Sequence, residues 1–565
     1  MSNNMVQLKI FLNWKYLSYV GVVLVIILPW FFRSGYLFFT DMSWGPNLSL
    51  SWINDPMLLY LFENFFSIVI PISLIQKIYI GLILFIVLWG GKKISEQFIQ
   101  EKWLVFVASL FFLFNPFVYD RAMYGQINVV ASFGFMCMAF GYLLEYLRLK
   151  RTKQMLLFGL FSGLSIQFSV HFVFFISFIY ILFLLIILMR RKEFEFYSLA
   201  KGSLATVIII VLLNMNLAIG MMSGKSNVVN YIKTEVPESD LFVFKTSGKS
   251  GIEALGNVLL MSGFWGKDQY RYADLTRFES NWGRSFFLIL PIIFLGIFIG
   301  LRRKESRLLV TVLLISYAIV VILSVGVSLS GTKEITLWLF HNFPLYKGLR
   351  EPQKWVSFLV IIYGTTLAFG LNELFSRKII TDNKFLYGAI LTGIIILQSP
   401  LLIFGFGDQV KSVSYPQDWQ EVDNYITTYN SNNSADSQTK CRDPILFLPW
   451  HMYMSFNWIG HIVANPADRF FSCPVIQGTN MEWGGIYDNS QSVQGAKIQE
   501  WIDSKGQDKS LLNSQELSIK YIILAKELDW QNYLWLDTSP DATLFRDTRT
   551  LRVYRINEQN TKNNK

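Results

Sequence analysis

Charge, cysteine and histidine are all scarce in this chain. Only 16% of its 565 residues are Asp, Glu, Lys or Arg, whereas a soluble globular chain carries about 25%. That shortage excludes a wholly water-solvated protein. Three cysteines and four scattered histidines form no set with metal-ligand spacing. No G-x-x-x-x-G-K-[ST] loop occurs, which sets aside nucleotide hydrolysis as the driving chemistry. No internal repeat recurs at a fixed period, which argues weakly against transporters built from repeats.

What the chain has instead is apolar surface, with 52% hydrophobic and 16% aromatic residues. Spanning a bilayer takes about 20 apolar residues at 1.5 Å rise. The runs predict about eleven spans, at residues 16–32, 74–90, 103–118, 127–147, 155–170, 172–189, 202–221, 285–301, 308–329, 355–374 and 385–406. The first run has no small-residue cleavage site behind it and reads as an anchor. The net charge of +10 is no nucleic-acid signal. Basic clusters at 92–93, 148–153, 190–192, 302–307 and 376–378 occupy every second connection, the same side as Lys9 and Lys15. By the positive-inside rule that side, with the N-terminus, is cytoplasmic. The expected fold is a polytopic α-helical membrane protein in the cell membrane, with a membrane domain over 1–406.

The outer side then holds the long loops 33–73, 222–284 and 330–354 and everything after residue 406. Within the second loop, residues 252–265 are apolar but too short to span, and read as interfacial. Residues 57–75 read the same way. From residue 407 the composition turns polar and mixed. Trp419, Val422 and Ile426 recur at helical spacing. Residues 496–503 and 511–517 read as helices, 445–448 and 521–524 as strands, and 543–545 with 551–554 as a terminal hairpin. This predicts an extracytoplasmic α/β domain over 407–556 and a disordered tail over 557–565. Cys137, inside an apolar run, reads as a core residue. Cys441 and Cys473, 32 positions apart in the outer part, are expected to form a disulfide.

Three outer loops place charged groups beside spans. Asp41 lies just beyond the first span, near Trp44, with Asp55 further on. A carboxylate so near a bilayer edge loses hydration unless something pairs with it, which makes it a functional-site candidate. Its bland alternative is a loop acid or a helix cap. The second loop carries Asp120-Arg121 followed by Tyr124 and Gln126. The third carries Lys347, Arg350, Glu351 and Lys354. An acid near an acceptor takes its proton, and Arg with Lys neutralises a departing phosphate. If Pro352 opens a helix, Arg350 and Lys354 share one face of it. The alternatives are an interfacial anchor with Glu351 as ion partner and, for Asp120-Arg121, a local ion pair.

The phrases FTDM (39–42), NPFVYDRAMYGQ (115–126), GFWG (263–266), LREPQKW (349–355), LFLPWHMY (446–453) and IKYIILAKEL (519–528) carry a resemblance over most of the chain. It looks like a GT-C-fold glycosyltransferase, similar to prokaryotic integral membrane proteins related to arabinofuranosyltransferases. The resemblance implies a polyprenyl-phosphate sugar donor and a cell-envelope glycan, lipid or protein acceptor, met at the outer face of the membrane. It implies Asp41 as general base, Asp55 or Asp120 as a second acid, and Arg350 and Lys354 on the donor phosphate with Arg121 and Lys347. Glu351, Trp44, Tyr124, Gln126 and Trp265 would support them. The family often has two acids close together in its first outer loop. Here Met42 and Ser43 follow Asp41, which leaves a divalent metal an open question and assigns no metal ligand. The alternative function is a transporter or flippase for lipid-linked saccharides, or an envelope assembly scaffold. A transporter needs polar groups near mid-membrane, and the spans offer little beyond Gln167, Asn214 and Asn216.

Overall fold

A computed structural model describes residues 14–48, 50–223, 236–273, 275, 285–376, 383–433, 443–483, 486–488, 493–507 and 519–557. The chain divides into two compact units. One comprises Met1–Pro29, Leu50–Ile68 and Lys77–Gln409, the other Trp30–Ser49, Val69–Gln76 and Val410–Lys565.

The larger unit is helical, and each of the eleven expected spans falls on a helix or a pair of helices. Six described helices are long and apolar enough to cross a membrane unaided, and counting two bent pairs brings the number to eight. Lys102–Leu113 meets Pro116–Tyr124 at 50°, and Lys384–Ile396 meets Pro400–Gly407 at 80°. The first bend has a local cause. Asn115 caps the second helix, accepting from Val118 N at 3.1 Å, and Pro116 occupies its first turn, where a missing N–H costs nothing. Three further apolar helices are shorter, at Tyr16–Phe31, Met57–Phe66 and Phe286–Arg302. The chain is therefore a multi-pass membrane protein.

Burial ranks the helices. Ile127–Leu149 and Pro352–Phe375 are 89% and 83% buried in the protein, whereas Phe196–Leu213 is only 11% buried. The first two form the centre of the unit and the third presents its apolar surface outward. Helix Phe286–Arg302 packs on Val356–Phe375 through Gly296 and Gly370, where an added Cβ would strike the Thr366 and Ile292 carbonyls. Small residues at that crossing let two backbones approach without side chains between them. Of the three polar groups named above, two donate to backbone, while Gln167 Nε2 and the side-chain oxygens of Asn214 and Asn216 are buried without a partner among the described residues. Asn214 Nδ2 donates to Gly163 O at 3.1 Å, and Asn216 Nδ2 to Trp52 O at 2.9 Å.

The smaller unit is built on a mixed five-stranded sheet in the order Ala542–Asp547, Leu551–Ile556, Tyr521–Ala525, Ile445–Leu448, Val475–Ile476. Ile445–Leu448 runs parallel to Tyr521–Ala525, with Ile445 opposite Tyr521, and the last two strands of the chain form an antiparallel hairpin. Both central strands are buried on both faces, which explains their unbroken apolar runs. Ile445, Phe447 and Ile523 pack with Trp419, Val422 and Ile426 of helix Gln417–Asn433. Leu446, Leu448, Ile522 and Leu524 pack on the other face with Ile498 and Trp501 of helix Val493–Asp503. Each such fully buried side chain stabilises the fold by roughly 2 kcal/mol.

The boundary between the units departs from the expected one at residue 406. Residues 30–49 and 69–76, read above as part of the membrane domain, belong with the C-terminal unit. Hydrogen bonds are the reason. Tyr36–Leu37 pairs with Ser412–Val413, Gln76 clamps both backbone groups of Leu37 at 2.8 and 2.7 Å, and Ala464 N donates to Thr40 O at 2.8 Å. Phe38 completes the core beside Trp419. The expected helix at 511–517, the tail beyond residue 557 and Cys441 lie outside the described residues. Cys473 is disulfide-bonded, and Cys137 is a buried free thiol.

Candidate functional site

In the larger unit the second and third charged loops meet. Helix Pro116–Tyr124 is buried from Phe117 onward, and Gly125, at φ 91°, ends it in the left-handed region that glycine tolerates. Arg121 is 1% exposed. Its Nη1 donates to Glu351 Oε2 at 2.5 Å, across 230 residues of sequence, and to the Gln126 side-chain oxygen. Its guanidinium lies 4.2 Å from the Phe264 ring centre, with Nε and Nη2 buried and unpartnered among the described residues. Glu351 Oε1 takes Lys354 Nζ at 3.0 Å, and that Nζ lies 3.4 Å from His171 Nδ1. Burial opposes the charge on Glu351, but Lys354 and Arg121 outweigh it and hold the carboxyl well below the usual carboxylate range. Desolvation first, and then the Lys354 charge, push the His171 imidazole down to about 3.

Arg350 stands apart from this triad. Its Nη1 donates to Asp240 Oδ2 at 2.7 Å and its guanidinium lies 4.3 Å from the Phe244 ring centre. Its side chain remains 22% exposed, against 6% for Lys354 and 1% for Arg121. Lys347 is half-buried, with Nζ 5.6 Å from the Phe340 ring. Pro352 does open a 3-10 turn, Pro352–Trp355, leading into Val356–Phe375, but Arg350 lies outside it. The residue before a proline is driven to extended backbone, here Glu351 at φ −99° and ψ 88°. Arg350 and Lys354 thus fall on opposite sides of a break and do not share a helix face.

Of the expected local partnerships, Glu351 with Lys354 forms and Asp120 with Arg121 does not. Arg121 pairs with Glu351, and the Asp120 carboxylate accepts from Ser262 Oγ at 3.3 Å and Tyr272 OH at 3.1 Å. Glu351 pairs with Arg121 and Lys354, while Arg350 pairs with Asp240. Tyr124 packs edge-on against Phe264 and Trp265, and Trp265 against Phe244, so these rings wall the cluster. Asp55 accepts from Ser51 N at 2.7 Å and closes a turn. Asp240, His171, Ser262 and Tyr272 had no role in the sequence reading. Only proximity across the fold reveals them.

Asp41 belongs to the smaller unit, half-buried, and accepts from Tyr453 OH at 2.9 Å. Trp44 is buried there, its carbonyl accepting from Tyr415 OH at 2.9 Å. Among the described residues no three His, Cys, Asp or Glu side chains cluster as a metal site.

The helical unit and the sheet unit together define a polytopic membrane protein of GT-C-like fold. It is similar to the solved structure of the arabinofuranosyltransferase AftD from mycobacteria, at TM-score 0.59 and 12% identity, over 96% of this chain and 40% of that one. A mutant of AftD matches at TM-score 0.57 and 11% identity, over 95% of this chain and 41% of that one. The chain thus spans about two-fifths of AftD. ArnT from Cupriavidus metallidurans bound to undecaprenyl phosphate covers 96% of this chain and 98% of its own at 10% identity, but its TM-score of 0.39 carries no argument. No protein-family model and no curated protein sequence matches.

Proposed function

We propose that this protein is a membrane glycosyltransferase that moves a sugar from a polyprenyl-phosphate donor to a cell-envelope glycan, lipid or protein acceptor at the outer face of the membrane. The observation that carries the class is the likeness of fold to an arabinofuranosyltransferase over 96% of the chain. The basic cluster supplies the chemistry. Arg121, Glu351 and Lys354 form a buried ion triad that fixes the segment carrying Arg350. Arg350, whose side chain remains 22% exposed and which has Lys347 nearby in sequence, binds the donor phosphate as a planar fork. Lys354 and Arg121, nearly inaccessible, act by holding that segment and by their charge in a low dielectric. Asp41, which accepts from Tyr453 OH, is the base that takes the acceptor hydroxyl proton.

The test is Asp41→Asn in the full chain. The variant is expected to bind donor as before and to lose sugar transfer by about a hundredfold or more. Unchanged transfer would remove Asp41 from the mechanism, whereas a flippase or a scaffold would show no sugar transfer in either protein.

A further inference from the structure

The larger unit holds a cavity of about 340 Å³ lined by Gln97, Arg148, Arg190, Arg303, Glu305 and Phe369, with leucine and isoleucine side chains completing an apolar wall. Its residues come from the ends of helices Ile72–Ser95, Ile127–Leu149 and Phe172–Met189, from the start of Lys304–Val325, and from within Val356–Phe375. Lys354 lies in the turn that leads into that last element and Phe369 lies fifteen residues on, which separates the cavity from the candidate site by roughly 22 Å along the chain.

Three guanidiniums line the cavity against one carboxylate. Arg190 Nη2 donates to the Glu305 carbonyl at 2.6 Å and Arg303 Nη2 bonds Glu373 at 2.9 Å, which leaves the other N–H groups of both forks for a ligand. Arg148 is exposed and has no hydrogen-bond or ion-pair partner among the described residues. Gln97 donates to Lys93 O at 3.2 Å, while its side-chain oxygen is buried without a donor. Arg148 and Arg190 also end helices, where a cation offsets the helix dipole. That role does not account for three arginines lining one cavity with an apolar wall, nor for the buried, unpartnered side-chain oxygen of Gln97 in the same lining.

We propose that this cavity binds an anionic phospholipid. The arginines take the headgroup phosphate, Gln97 accepts from a headgroup hydroxyl, and the apolar wall takes the start of an acyl chain. Phosphatidylglycerol has each of those parts. The site is independent of the transferase reading.

The probes are dioleoyl-phosphatidylglycerol, dioleoyl-phosphatidylcholine, and water-soluble glycerophosphoglycerol, titrated onto the delipidated full-length protein and read as bound mass by native mass spectrometry. The expected result is a preference for phosphatidylglycerol over phosphatidylcholine of about tenfold, reduced about fivefold by Arg148→Ala and further by Arg148→Glu. Lys153→Ala, an exposed charge outside the cavity, leaves the preference intact. Because Arg148 is exposed and unpartnered, its replacement removes no described contact, and unchanged gel-filtration elution verifies the fold. Equal binding of the two lipids, or no effect of Arg148→Glu, overturns the proposal. Glycerophosphoglycerol binding as tightly as the lipid overturns it in favour of a free-anion site.

Discussion

Glu351 is the residue on which the buried cluster balances. Taking ions out of water costs several kcal/mol each, which close pairing offsets only when both partners remain. Glu351→Gln leaves Arg121 and Lys354 without the carboxylate both contact. It is expected to lower stability by about 3 kcal/mol, measured as a fall in the thermal unfolding midpoint in detergent. An unchanged midpoint would mean that the triad does not hold the segment. The sequence marked Arg121, Glu351 and Lys354 as candidates because they lie in charged loops beside spans, and its local pairing holds for Glu351 with Lys354 but not for Arg121 with Asp120. The contact from Arg121 to Glu351 crosses 230 residues, and that from Arg350 to Asp240 crosses 110. A pairing of that kind leaves no local signature.

Elements were legible where one periodicity governs them. Trp419, Val422 and Ile426 announced a helix, and the continuous apolar run at 445–448 fits a strand buried between two layers. The tie between that helix and the terminal hairpin was not legible, because its contacts, among them Glu421 with Arg546 and Tyr425 with Phe545, join residues far apart in sequence. Asp418 accepts from Thr550 N and Oγ1, both at 2.7 Å, and from Thr548 Oγ1 at 2.9 Å. Burial works against the charge on Asp418, but these donors prevail and lower its pKa. A lowered carboxylate contributes stability that is fully present above the unfolded pKa, near 4, and is lost as pH falls through the lower folded value. Asp418→Ala should cost about 2 kcal/mol at neutral pH. The loss is read as faster hydrogen exchange in residues 542–556, with the difference from wild type shrinking in acid. A difference that grows in acid would reverse the sign and refute the assignment.

For the whole molecule, composition revealed the membrane character at once, since eleven apolar runs leave few alternatives. It misplaced residues 30–49, because the bonds that join them to the C-terminal unit reach residues some four hundred positions away. The basic clusters predict which side each connection faces. Ser376 and Ser414 are both exposed, and the native thiols are silent, with Cys137 buried and Cys473 bonded. Ser376→Cys should react with an impermeant maleimide only after the membrane is opened, and Ser414→Cys before it. The reverse order would invert the topology.

The central claim is that a partly exposed guanidinium, held in place by a buried ion triad, receives the donor phosphate. The affinity of the purified full chain for undecaprenyl phosphate, compared among wild type, Arg350→Ala and Arg377→Ala, tests it most directly. Arg377 lies in a basic cluster assigned to the cytoplasmic side. Arg350→Ala is predicted to weaken binding roughly tenfold or more while Arg377→Ala leaves it unchanged, and equal affinities in all three proteins would contradict the account.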